Sequence, residues 1–196
     1  MVAVNVISRV VFVSVVCLAC SGALAEVYSL SPDPCDLGGL DHYYYYTWRV
    51  DRPWADTKQV TLATLTFSQI RNWDNHSNDL YVHLLDDASQ PGVTGYWDNQ
   101  GGGDAFAGEG VLLEHYEDLP STPNDITYNF SPNDIAALNT YAAAGRFALG
   151  FDPDCHFLND GVTLTVTVPE PATTSLMVMG AGAVCAVFAR KRRCTV

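Results

Sequence analysis

Between residues 26 and 168, apolar and polar residues alternate mostly with a period of two. Val162, Leu164, Val166 and Val168 are separated by Thr163, Thr165 and Thr167, the pattern of a half-buried strand. "RFALGF" puts Phe147, Leu149 and Phe151 on one face, and "LYVHLLD" sets Leu80, Val82 and Leu84 against Tyr81 and His83. "DITYNF" alternates through Ile126, Tyr128 and Phe130, whereas "VLLEHYE", from Val111, is apolar on both faces before it alternates. In "YYYYTWRV", Tyr44, Tyr46, Trp48 and Val50 share one side, and Tyr43, Tyr45, Thr47 and Arg49 the other. "VTLATLTFSQI" breaks the rule, because Val60 and Leu62 differ in parity from Leu65 and Phe67. This predicts either a bulge near Ala63–Thr64 or a strand buried on both faces.

One segment reads as a helix. Ser131 is suited to the N-cap, Pro132 to the first turn, and Asp134 reaches back to the cap. Ile135, Leu138 and Tyr141 or Ala142 then form one stripe, and Gly145 ends it. Seven or eight strands, turn-rich loops such as "DNQGGGDAFAGEG" and a single helix predict a mainly β fold. The expected form is an antiparallel β-sandwich, jelly-roll-like, over residues 26–168.

Both ends differ from this body. Residues 1–25 carry Arg9, then the apolar "VVFVSVVCLA", then Ala23-Leu24-Ala25, the layout of a cleaved secretory signal. A buried terminal segment and lipoprotein processing at Cys20 are the alternatives. Residues 172–189 form an uncharged stretch of 18 residues. As a helix it would reach about 27 Å, enough for a bilayer core of roughly 30 Å. Arg190, Lys191, Arg192 and Arg193 follow as a basic stop that holds that end in the cytoplasm. The expected topology is a body outside, one span and a short basic tail inside. A core helix and a lipid-anchor signal are the competing readings, the latter disfavoured by the basic block.

Charge sharpens the picture. Residues 26–168 hold five Lys and Arg against 21 Asp and Glu, a balance of −16 where the whole chain carries −12. Such a body repels nucleic acid and attracts cations, so no nucleic-acid partner is expected. Once the ends are set aside, the body keeps only Cys35 and Cys155. An even pair in an oxidising compartment is expected to form a disulfide, two unrelated thiols being the alternative.

The C-terminal run "VPEPATTSLMVMGAGAVCAVFARKRR" resembles the PEP-CTERM sorting signal of Gram-negative bacteria. Its three parts stand in order: Pro169, Glu170 and Pro171; the apolar helix; the basic end. The resemblance implies an exosortase as processing partner, membrane insertion before cleavage, and release or attachment at the cell surface, often beside extracellular polysaccharide. "GRFALGFDPDCHFLNDGVTLTVTV" is also similar to β-rich ectodomains that precede this signal, without an activity to transfer.

Candidate chemistry in the body is sparse. In "DPDCHFLND", Asp152, Asp154, Asn159 and Asp160 could supply oxygens to Ca²⁺, or simply cap a tight turn. Tyr43, Tyr45, Trp73 and Trp97 are candidates for a glycan-binding surface, against a packing role at the sandwich rim. Five histidines, at 42, 76, 83, 115 and 156, lie in separate segments without metal-ligand spacing. No nucleophile or metalloprotease motif is present, so no catalytic residue is named. The reading that follows is a non-enzymatic, surface-sorted structural or adhesive protein. A calcium-assisted carbohydrate-binding module comes second and a secreted hydrolase third.

Overall fold

The structure, a computed structural model, describes residues 25–98 and 102–169. Among the described residues, ten strands and one helix follow in chain order: β1 (Ala25–Leu30), β2 (Tyr44–Asp51), β3 (Leu62–Asn72), β4 (Asp79–Leu85) and β5 (Gly92–Trp97) come first. Then come β6 (Val111–Glu117), β7 (Asn124–Asn129), α1 (Pro132–Ala142), β8 (Arg146–Pro153), β9 (Phe157–Leu158) and β10 (Gly161–Pro169). One sheet runs β1-β10-β3-β7, with β9 also on β3; the other runs β5-β2-β8-β4-β6. All pairings are antiparallel.

The alternating residues build the core between the sheets. Val162, Leu164, Val166 and Val168 of β10 and Ala63, Leu65 and Phe67 of β3 are buried from one side. Trp48 and Val50 of β2, Leu80, Val82 and Leu84 of β4, and Phe147, Leu149 and Phe151 of β8 join them from the other. Phe67 and Phe151 meet edge-on across the layers with centroids 5.7 Å apart. Burying a side chain of this kind contributes about 1.5–3 kcal/mol.

Helix α1 carries the chain from the first sheet to the second, and its ends are as expected. The Ser131 hydroxyl accepts from the Asp134 amide, and the Asp134 carboxylate accepts from the Ser131 amide. Leu138 and Ala142 are buried against the core, and Gly145 turns the chain at φ 91°. Outside the strands, Asn139 pins Val60 by accepting its amide at 2.8 Å and donating to its carbonyl at 2.9 Å.

The bulge in β3 lies elsewhere than expected. Val60 precedes the strand and Leu62 is exposed, so neither constrains its parity. The conflict that matters is between Phe67 and Ile70, both buried and an odd number of residues apart. The register shifts between them, with Gln69 at φ 51° and its amide donating to Asp125. A second shift between Val82 and His83 of β4 leaves Leu113 buried and Leu112 exposed, which accounts for the doubly apolar start of β6.

The expected disulfide is not shown. Cys35 is exposed in the β1–β2 loop, where its carbonyl accepts the Val162 amide. Cys155 lies in the β8–β9 turn, with its thiol toward Trp73 and Asn72, and both cysteines are free. Among the described residues no helix is long and apolar enough to cross a membrane. The expected signal segment up to Leu24, the span 172–189 and the basic tail 190–193 lie outside the described residues.

Candidate functional site

Among the described residues, two neighbourhoods gather polar and aromatic side chains. The first is an exposed aromatic row. Tyr44 opens β2 opposite Trp97 at the end of β5, and the Tyr43 carbonyl accepts the Asp98 amide at 2.7 Å. Tyr43 stacks on Trp97 with centroids 5.6 Å apart, while Tyr44 meets Trp97 edge-on at 5.2 Å. His42 lies 3.9 Å from Tyr43 and 4.9 Å from His156, whose ring is 5.3 Å from Trp73. Trp73, Tyr43 and Trp97 thus belong to one continuous row, joined by two histidines. Tyr45, the fourth aromatic candidate, stands apart: within β2 it faces away from Tyr44 and stacks on Tyr96 at 5.3 Å, whereas Tyr43 precedes the strand and does not keep its alternation.

Asp41 sits beside the two histidines. One carboxylate oxygen is 3.1 Å from His156 Nε2 and the other 3.6 Å from His42 Nδ1. Partial burial pushes this carboxyl up, but the Tyr43 amide, His156 and His42 together hold it below its ordinary value. A reciprocal pair of backbone bonds, 2.9 Å each, ties Leu40 to Phe157 and fixes the two segments one residue from these side chains. The histidines are 114 positions apart, so sequence spacing concealed their meeting. The local signals were a histidine beside the tyrosine run and another beside Cys155.

The second neighbourhood is the outer face of β8. Ala148, Gly150 and Asp152 point away from the shared core yet are buried, because the loop 102–110 covers them. Phe106 lies over Gly150, edge-on to Tyr45 at 5.3 Å and 5.4 Å from His83. A side-chain carbon on Gly150 would come within 2.8 Å of that ring. Asp152 accepts the Ala105 amide at 2.6 Å, and Asp154 the Gly103 amide at 2.9 Å. His83, itself buried, meets the Asp104 carboxylate at 3.0 Å. Burial pushes the Asp152 carboxyl up to about 7; the Ala105 amide opposes this, and Asp154, Asp98 and Asp104 reinforce it.

The four candidate calcium ligands therefore have different partners. Asp152 and Asp154 hold the glycine-rich loop, Asn159 accepts the Leu37 amide and donates to the Gly38 carbonyl, and Asp160 pairs with Arg71. Asp154 Oδ1 is buried without a hydrogen-bond partner. Sequence pattern does not join His83 to Asp104 and Phe106, because a loop crossing a sheet face leaves no periodic trace.

The sorting segment joins this body at β10. Val168 is its last buried residue, and Pro169 pairs with Ala25. Residues 167–193 match the family model described as the PEP-CTERM protein-sorting motif. The chain carries a PEP-CTERM sorting signal. That motif implies processing by an exosortase, export, and membrane-anchored sorting toward the cell surface. Glu170 and Pro171 lie outside the described residues. No curated protein matches the chain in sequence. Among solved structures, it is similar to recombinant latent aurone synthase (polyphenol oxidase) at 12% identity and a TM-score of 0.39, over 67% of this chain and 26% of that one. The same enzyme soaked in H2O2 gives 11% and 0.40, over 73% and 28%. The chain thus spans about a quarter of those proteins, and a likeness this slight carries no argument about activity.

Proposed function

We propose that this PEP-CTERM chain is an exported, exosortase-processed protein whose two-sheet body, of jelly-roll type, serves without catalysis as a structural or adhesive part of the cell surface or extracellular matrix. The observation that supports this most is the join between body and motif. Pairing of β10 with β3 stops at Thr167, and Pro169 is held only at the β1 side, opposite Ala25. A cut beyond Pro169 would leave every core residue among the described residues in place. The expected signal-cleavage point at Ala25 lies at the same place, so both processing events would occur at one corner of the sheet. The acidic body would keep off anionic headgroups while tethered there.

The test is genetic. In a host lacking its exosortase, the precursor should accumulate in the membrane fraction, and replacing Pro169, Glu170 and Pro171 by alanine should reproduce that accumulation. Normal processing in both strains would contradict the reading.

The aromatic row favours a second reading, a carbohydrate-binding surface, with calcium as an accessory ion near Asp152 and Asp154. Exposed Trp73 and Trp97, 63% and 56% accessible, offer ring faces of the sort that stack on sugars. Polysaccharide pull-down should then weaken in Trp97→Ala, and chelator should lower the melting midpoint. No retention on any polymer by the unaltered protein would dispose of it.

A further inference from the structure

His42 and His156 face one another through Nδ1 atoms only 3.3 Å apart. A neutral imidazole carries one donor and one acceptor nitrogen, so two such atoms in contact need either a proton or a cation between them. Zinc–nitrogen bonds of about 2.0–2.1 Å at a tetrahedral angle separate two ligand nitrogens by about 3.3–3.4 Å. The observed gap has that width. Asp41 adds a carboxylate: one ligand atom each from Asp41, His42 and His156 lies within 4.8 Å of the others.

The surroundings hold these groups in place. The Asp41 carboxylate accepts the Tyr43 amide at 3.0 Å, and the Asp41 amide donates to the Tyr46 hydroxyl at 2.9 Å. Its second oxygen sits against His156 Nε2, which leaves the Nδ1 of that ring turned toward His42. Tyr43 packs on one imidazole and Trp73 on the other, so neither ring is free to swing. The Leu40–Phe157 bridge sets the distance between the two ligand-bearing segments. Orienting contacts of this kind are what a metal site needs beyond its direct ligands.

We propose that Asp41, His42 and His156 bind one divalent transition ion, Zn²⁺ in the first place, at the centre of the aromatic row. The ion sits between the two Nδ1 atoms, and the Asp41 oxygen nearer His42 completes the set. Two imidazoles and one carboxylate suit a borderline ion and disfavour Ca²⁺, which takes oxygen ligands. Three protein ligands leave a fourth position for water or for an oxygen of a bound molecule. The site joins the β1–β2 loop to the β8–β9 turn, and bound metal would cross-link them. None of this depends on how the chain is sorted.

A second trio of histidine and carboxylates, Asp79, His115 and Glu117, makes a useful control. It offers a single imidazole, whose Nε2 is held by Asp79 at 2.7 Å while Nδ1 lies 4.0 Å from the exposed Glu117. No pair of imidazole nitrogens faces another there, so nothing in that group calls for a bridging cation.

The experiment is calorimetric titration of the full-length chain in detergent with ZnCl2, paired with X-ray absorption at the zinc edge. The expected result is one Zn²⁺ per chain, with affinity reduced at least about 10-fold in His42→Gln, His156→Gln and Asp41→Asn. His115→Gln and the double variant Cys35→Ser, Cys155→Ser should bind as the unaltered chain does. The absorption spectrum of the unaltered protein should show imidazole nitrogen and oxygen around zinc, a result that needs no variant to fold. No binding, binding that survives loss of both His42 and His156, or sulfur bonded to the zinc would each overturn the proposal.

Discussion

Strand β8 buries both of its faces, and it does so by opposite means. Phe147, Leu149 and Phe151 are covered by the facing sheet, whereas Ala148, Gly150 and Asp152 are covered by a loop that folds back over the outside. The inner face is closed by interlocking hydrocarbon. The outer face combines one ring, Phe106, with carboxylates that grip loop amides. An apolar face needs only complementary shape, but a buried carboxylate such as Asp152 must be kept neutral or paired. The two sides of one strand should therefore respond differently to mutation and to pH.

The largest effect is expected inside. Phe151→Ala removes the ring that meets Phe67 and should cost about 3–5 kcal/mol in urea unfolding. A loss below about 1 kcal/mol would mean that the shared core is not the main source of stability. The outer face should show itself next, through proton linkage. Asp152 is raised from its ordinary value to about 7, so its contribution is fully present below about pH 4 and is lost as pH rises toward 7. Over that window the unaltered protein should lose roughly 3 kcal/mol that Asp152→Asn retains. Parallel pH profiles for the two proteins would contradict this.

A smaller effect separates the faces by cooperativity. Phe106→Ala should cost about 2 kcal/mol and open the loop 102–110 to protease while the sheets stay folded. If cleavage there instead tracks global unfolding, loop and core are one unit. The smallest effect belongs to Arg146, whose two bonds to Asp87, 2.7 Å each, lie in solvent. Arg146→Ala should leave the melting midpoint unchanged at physiological salt, because exposed pairs are screened.

Periodicity made the inner face legible. Each of the alternating apolar residues named on β4, β8 and β10 is buried, and the helix caps follow from Ser131, Asp134 and Gly145. Parity counted from Val60 misplaces the bulge, because Asn139 holds Val60 before the strand begins. An even count of cysteines carries no information about where the two thiols point. The outer face was illegible for a physical reason: Asp152 and Asp154 were visible as a polar cluster, but their partners lie about fifty positions upstream. The same holds for His42 and His156, which the Leu40–Phe157 bridge brings together.

The central claim is that the mature protein has lost the segment that follows β10. Intact-mass measurement of the mature protein from its native host tests this directly. The account predicts a chain that retains Val168 and lacks Arg190 to Arg193. A mature mass that still includes the basic tail would contradict it.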